Sequence, residues 1–473
     1  MSVPAPSKLA TVARHFATLA SGDAIARIVA FLAGVFVARH LGAEMFGVMT
    51  FGQAVVLYFT HLAACGVDLT GIREVAADPT RARTLAPSLL VFRTLVAAGL
   101  FGLLSAVALA FFPPLEAAVI ALYAATLFGH GPNPKFVLVG LSRTAPVAWS
   151  RTAGEFLYAA LVFALVRERH DVIWVPWAQA LGDVTSVLLM LMWLARLGHR
   201  MPLELDWSAA RPLLTRSFPL VLNILLGLLI YNCDLLVLKY FRGNSTVGWY
   251  SASYQLISFL INLAWAYSHS LLPALTQASR ENGERHALYQ TSLAQCCAIG
   301  IPIAIGGGLV ARGVIELVFG AEYRSSATPL AILIASTPFM LYKDVSMVAM
   351  IVSGREHAVL RMTAIAVVFN LVANLLVIPT WGMVGAACTT LATEVLRAAL
   401  AAAFVRRDGF TLLAARRLLR PVLAGAAMAL VLIFSGVDQV LLAVPLGAVA
   451  YGLVLWASGA IVWRRGSLPA LRV

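Results

Sequence analysis

Ala86-Pro-Ser-Leu-Leu-Val-Phe-Arg93-Thr-Leu-Val-Ala-Ala-Gly-Leu-Phe-Gly-Leu-Leu-Ser-Ala-Val-Ala-Leu-Ala-Phe-Phe112 decides the fold. One charge, Arg93, stands in the whole stretch. As a helix it is about 40 Å long, enough to cross ~30 Å of hydrocarbon. Similar stretches lie on both sides of it. The spans read as 22–42, 45–67, 86–112, 116–140, 147–166, 172–195, 218–241, 247–274, 289–312, 327–352, 358–379, 382–405, 420–437 and 440–463. Each must be a helix, because an open strand leaves backbone groups unpaired in lipid. Pro132 and Pro134 are expected to interrupt the fourth, and Pro302 with Gly306-Gly307-Gly308 the ninth. Hydrophobic residues are 60% of the chain and charged residues 12%, about half the charge of a soluble domain. The fold class is all-α and polytopic.

Fourteen spans put both termini on one side. That side carries 23 Lys/Arg, in clusters such as Arg196, Arg200, Arg211 and Arg216, and Arg406, Arg407, Arg416, Arg417 and Arg420. The other side carries seven: Arg39, Arg167, Arg169, Lys239, Arg242, Arg312 and Arg324. The positive-inside rule places both termini in the cytoplasm. Topology accounts for the +13 net charge, and no nucleic-acid partner is needed. The first apolar segment is too long for the h-region of a cleavable signal peptide.

The chain also repeats. Val37-Ala-Arg39-His-Leu-Gly-Ala-Glu-Met-Phe-Gly47 joins spans one and two, and Val237-Leu-Lys239-Tyr-Phe-Arg-Gly-Asn-Ser-Thr-Val-Gly248 joins spans seven and eight. Gly140-Leu-Ser-Arg143 precedes span five as Ser353-Gly-Arg355 precedes span eleven. The offset of six spans preserves orientation, so the halves are parallel repeats. The expected division is 1–207, a lobe of six helices; 208–405, a second such lobe; and 406–473, a basic linker, two extra helices and a tail.

Enzymatic motifs are missing. The chain has four lysines, none in a Gly-Lys-Ser/Thr phosphate loop, and no His followed by Glu. The five cysteines lie in or beside apolar segments without metal-ligand spacing, so neither a metal nor another cofactor is expected.

At this point the residues resemble a family. Ala38-Arg39-His40-Leu41-Gly42 with Phe46-Gly47, Ser217-Phe218-Pro219, Asp234-Leu-Leu-Val237 and Gly248-Trp249-Tyr250 carry the likeness. So do Gly320-Ala-Glu322-Tyr323, Gly354-Arg355, Asn370 through Asn374, and Ile378-Pro-Thr-Trp381-Gly382-Met-Val-Gly385-Ala-Ala387. In order and spacing they are similar to oligosaccharide flippases of the multidrug/oligosaccharidyl-lipid/polysaccharide exporter superfamily, along essentially the whole chain. The resemblance implies a two-lobed, V-shaped transporter. It would move a polyprenyl-pyrophosphate-linked oligosaccharide to the outer leaflet of the inner membrane by alternating access.

Charges within the spans converge on that reading. Arg27, Arg93, Lys135, Lys343 and Arg397 each cost roughly 2.5–3.5 kcal/mol at a helix centre. Such residues face a cavity or a partner, and a cavity lined by them would hold a pyrophosphate, for which arginine's planar fork is suited. Pairing is the competing reading: Asp23 with Arg27, and Glu394 with Arg397, share helix faces. Lys343 and Asp344 are adjacent and are expected to point apart. Asp234, Asp183, Glu155 and Asp344 are the coupling or gating candidates, serving a Na+ or H+ gradient. Asp234 has a structural alternative, a pair with Lys239 or with an Arg elsewhere. His61, His130 and His269 are either proton carriers or helix-packing residues. A drug/cation antiporter of the same superfamily and a membrane glycan polymerase or ligase are the alternatives. In the flippase reading the partners are the lipid-linked oligosaccharide, membrane lipids and a glycan polymerase of the same pathway.

Overall fold

A computed structural model describes residues 8–198, 206–278, 283–407, 409–411, 415–437, 439–459, 461–462 and 470–471. Side chains are described from Ile25 to Gly459, except at 209, 263, 265, 266, 269, 415 and 416. Arg200, Arg280, Arg464, Arg465 and Arg472, and the side chains of Asp23, His269 and Arg416, therefore lie outside the described residues.

The described chain is helical apart from short 3-10 turns and a two-residue antiparallel pair, Ile461–Val462 with Ala470–Leu471. The helices are α1 (Lys8–Ala63), α2 (Val67–Ala77), α3 (Arg81–Phe111), α4 (Pro114–Ala124), α5 (Leu127–His130), α6 (Lys135–Gly140), α7 (Thr144–Leu165) and α8 (Trp174–Arg196). Then come α9 (Trp207–Arg242), α10 (Asn244–Gln277), α11 (Glu284–Phe319), α12 (Ala327–Ile334), α13 (Thr337–Val352), α14 (Glu356–Arg407), α15 (Ala415–Phe434) and α16 (Val440–Ala457). Eight of the described helices are long and apolar enough to cross a membrane, and the α12–α13 pair, bent by 40°, makes nine. Two of the eight are double. α1 has 56 residues and leaves helical geometry at Gly42, and α14 has 52 and leaves it at Gly382. Counting both arms of each, with α7, α10 and the broken set α4–α6, the order accommodates fourteen crossings.

The chain divides into two compact units, Met1–Leu228 and Leu229–Val473, with the boundary within the α9 sequence. Each unit exposes many large apolar residues besides those in its core. Leu109 and Phe111 in the first, and Leu376 and Phe434 in the second, are among the most exposed side chains, whereas Arg93, Asp234, Lys343, Glu394 and Arg397 are buried. Large apolar side chains thus cover the outside as well as fill the core, which suits lipid as the outer solvent.

The sequence repeat is a backbone repeat. Gly42 has φ 73° and ψ 173°, and Gly243 has φ 78° and ψ −177°. The second pair agrees bond by bond. Ser142 and Gly354 both occupy the left-handed region, at φ 59° and 72°. Arg143 N–H donates to the Leu138 carbonyl at 2.8 Å and Arg355 N–H to the Met350 carbonyl at 2.9 Å. Both are six-to-one helix C-caps.

Pro302 does not interrupt α11, contrary to the sequence expectation. Proline lacks an N–H and orphans the carbonyl four residues earlier, here that of Ala298. The Tyr451 hydroxyl of α16 donates to this carbonyl at 2.7 Å. The glycines that follow admit neighbours: a side chain at Gly306 would meet Met428 of α15, and one at Gly307 would meet Ile334 of α12. The break falls instead at Ala335-Ser336 in span ten, just before Pro338. Tyr451→Phe should therefore lower stability by about 1–3 kcal/mol, the penalty of a buried unsatisfied carbonyl. In a Pro302→Ala background the new N–H takes that carbonyl, and the loss should shrink below 1 kcal/mol. Thermal unfolding of the four variants in detergent decides it; equal losses in both backgrounds contradict this role for Tyr451.

Candidate functional site

Membrane-depth charge gathers in two places, one in each unit. In the first unit α2 begins after Gly66, which has φ 64°. A Cβ at Gly66 would meet the Ser217 carbonyl of α9 at 2.8 Å, and Thr70 and Ser217 hydroxyls bond at 2.6 Å. This tight seat fixes Asp68 in the first turn of α2. Opposite it, α3 carries Arg93, 1% exposed. Between α5 and α6 the stretch Gly131-Pro132-Asn133-Pro134 leaves carbonyls without helical donors, as the prolines predict. Arg93 supplies donors: Nη2 to the His130 carbonyl at 2.9 Å and Nη1 to the Asn133 carbonyl at 3.4 Å. Nη1 also lies 3.3 Å from Asp68, whose side chain is 47% exposed. The guanidinium thus stitches a broken span and shows the surroundings its acidic partner.

A second strand of this network runs through α7 and α8. A Cβ at Gly154 would lie 2.5 Å from the Gly182 carbonyl, and one at Gly182 would lie 2.7 Å from the Gly154 carbonyl. Small residues let the helices touch at that level. The next residues, Glu155 and Asp183, are carried into mutual electrostatic range. Asp183 Oδ2 is 3.7 Å from His130 Nε2, and Arg151 lies in range of Asp183, Glu155 and His130. His61 is in range of Asp68. Three carboxylates, two histidines and two arginines therefore share one interior. Arg27 lies exposed on α1, and Lys135, half-buried, opens α6 with its N–H on Asn133 Oδ1 at 3.0 Å.

The second unit is more tightly paired. On α14, Glu394 Oε1 accepts from Arg397 Nη1 at 2.8 Å, and Lys343 Nζ of α13 is 3.2 Å from Glu394 Oε2. Arg397 Nη1 also donates to the Tyr231 hydroxyl at 2.8 Å. The Glu394–Arg397 pair read from helix spacing is present. Lys343 and Asp344 do not point apart: Lys343 Nζ is 3.2 Å from Asp344 Oδ1, since the long lysine stem curves back past its neighbour.

Asp234, 1% exposed, has no basic partner among the described residues. It accepts from the Tyr250 hydroxyl at 2.6 Å and the Leu235 N–H at 2.9 Å. Lys239, named as its alternative partner, bonds Asn244 at 2.5 Å. The two arms of α14 are laced together beside it. Asn370 donates to Thr393 and Asn374 to Asn370, both at 3.0 Å, while Thr389 donates to Asn374. No group of three or more potential metal ligands occurs among the described residues.

Reasoning from sequence missed Asp68, Tyr231 and Tyr250. Asp68 had a signal, an acid in the first turn of a helix after Gly66. The tyrosines had none, because an amphipathic ring at a helix face is ordinary packing until its partner is known.

The family model described as polysaccharide biosynthesis protein matches residues 12–279. The chain is 26% identical over 235 residues to a probable flippase, AglR, of Haloferax volcanii, covering 47% of this chain and 49% of that protein. It thus spans about half the length of that relative. It is 23% identical over 381 residues to a putative O-antigen transporter of Escherichia coli K12, covering 79% of this chain and 91% of that one. Among solved structures, the lipid II flippase MurJ in an inward closed conformation matches at TM-score 0.77 with 12% identity, covering 93% of this chain and 98% of that one. An inward-facing multidrug resistance MATE family transporter of the MOP superfamily matches at 0.64 with 15% identity, covering 81% and 94%.

Proposed function

We propose, from the premise that the chain belongs to the polysaccharide biosynthesis protein family, that it moves a lipid-linked glycan between membrane leaflets. The observation that carries the reading is basic and acidic side chains kept inside apolar helical units of that family. The relatives bearing the words flippase and O-antigen transporter support it. The likeness to a multidrug transporter at 15% identity speaks for the fold and leaves the substrate to the family.

The finer reading is a polyprenyl-pyrophosphate-linked oligosaccharide carried from the inner to the outer leaflet of the cytoplasmic membrane by alternating access. Arg27 and Lys135, the less buried of the cations, meet the pyrophosphate. Arg93 positions the broken span beside them. Lys343 and Arg397 balance Glu394 and hold the second unit's interior. Asp234, whose partners are neutral, is a seat for a coupling Na+ or H+, with Asp183, Glu155 and Asp344 as further seats. Exit of a pyrophosphate from a cell negative inside gains about 2.3 kcal/mol per charge per 100 mV.

Orientation is testable directly. With Cys65, Cys233, Cys296, Cys297 and Cys388 replaced, single cysteines at Ser208 and Thr411 should resist an impermeant thiol reagent in intact cells. Cysteines at Pro114 and Gln439 should react. The reverse pattern would invert the direction of transport. The enzyme alternative has its own test. Purified protein should return a lipid-linked oligosaccharide with its glycosidic bonds unchanged, and new glycan products would contradict the transporter reading.

A further inference from the structure

We infer that a groove between α11 and the α15–α16 hairpin binds an anionic phospholipid, with the phosphate on Arg312 and Arg324 and an acyl chain inside. The groove lies wholly in the second unit and is separate from the Lys343–Glu394–Arg397 cluster. Its volume is about 510 Å³, within the roughly 300–1,000 Å³ of ordinary ligand pockets. Leu309 and Val310 of α11 form one wall, and Leu432 and Val440 of the hairpin form the other. Arg312 and Glu316 supply its polar end.

The arginines are held in a specific way. Arg312 Nε and Arg324 Nε both bond Glu316 Oε1, at 3.0 and 2.7 Å. Each guanidinium uses its Nε edge, and its terminal nitrogens have no further partner among the described residues. The side chains are 64% and 57% exposed. Among these three side chains two cations share one carboxylate, at the polar end of a slot with aliphatic side walls. Planar guanidinium donors suit phosphate oxygens. A free phosphate would use the arginines and leave the apolar walls bare, whereas a phospholipid uses both. The hairpin delivers the slot to lipid, since Ile433 and Leu441 around it are exposed. A zwitterionic head group brings its own cation toward the arginines and fits less well.

The probe is a phosphatidylglycerol with a photoactivatable acyl chain, incorporated with the full-length protein into nanodiscs. A phosphatidylcholine analogue runs in parallel. Phosphatidylglycerol should label 309–316 and 432–443 well above the lipid-facing residues 95–111 of α3. Arg312→Ala/Arg324→Ala should lower groove labelling roughly tenfold and leave α3 unchanged. Val440→Trp, which fills the slot without touching the arginines, should lower it as well. The arginine variant changes exposed residues, so it remains informative should the tryptophan variant misfold. Even labelling of groove and α3, equal labelling by phosphatidylcholine, or parental labelling of the arginine variant would overturn the site. Loss of label to excess inorganic phosphate would reassign it to a free anion. None of these outcomes depends on the flippase reading.

Discussion

Glu394→Ala should lower the stability of the protein by about 3–5 kcal/mol, because it strands two buried cations. Lys343 and Arg397 are 2% and 5% exposed, and Glu394 is the carboxylate both reach. Asp344 lies 3.2 Å from Lys343 and compensates one of them at most. Glu394→Gln keeps the shape and one acceptor for Arg397 but not the charge, so its loss should be intermediate. The triple variant Lys343→Met/Glu394→Leu/Arg397→Met removes the charges together. It should recover most of the stability, since well-packed apolar replacements of a buried ionic cluster are often neutral. The thermal unfolding midpoint in detergent, with the yield of monodisperse protein, measures all three. A Glu394→Ala loss below about 1 kcal/mol would mean that water reaches the cluster and that the pairing is not structural.

Arg93→Ala carries the second large effect, on transport. It removes the donors to the His130 and Asn133 carbonyls and the partner of Asp68. Hydrogen bonds to charged groups contribute about 1.5–3 kcal/mol each, so loss of one or two that position the site slows transfer by roughly 10–10³-fold. Arg93→Lys keeps a point charge but cannot span three acceptors with a planar fork. It should restore part of the rate. Arg27→Ala separates binding from positioning: it should raise the substrate concentration needed for half-maximal transfer, whereas Arg93→Ala should lower the maximal rate. Parental transfer by Arg93→Ala, with normal insertion, would remove its positioning role.

The spans were legible because hydrocarbon imposes length and apolarity on every crossing segment, and because unneutralised charges stand out against such a background. The repeat was legible for a similar reason. A left-handed residue at a helix end constrains sequence locally, and Ser142-Arg143 and Gly354-Arg355 keep the same cap. Non-local satisfaction was not legible. Pro302 reads as a break until Tyr451, on a helix far along the chain, is seen on the Ala298 carbonyl. Asp234 reads as a partner for Lys239 until Tyr250 is seen on its carboxylate. Adjacent residues such as Lys343 and Asp344 mislead when a flexible stem lets one reach back. Glu394 was visible only as the partner of Arg397, because helix spacing reports neighbours on one helix and not Lys343 on another.

Leaflet transfer by the purified protein tests the central claim most directly. Vesicles containing the protein and a fluorescent polyprenyl-pyrophosphate-linked oligosaccharide are probed with a membrane-impermeant glycosidase or quencher. With the protein present, the fraction of substrate accessible from outside should rise with time beyond the initial outer-leaflet share. It should do so in proportion to protein content, and Arg93→Ala should flatten the rise. An accessible fraction that stays at the protein-free level, in vesicles where the protein is folded and correctly inserted, would contradict the account.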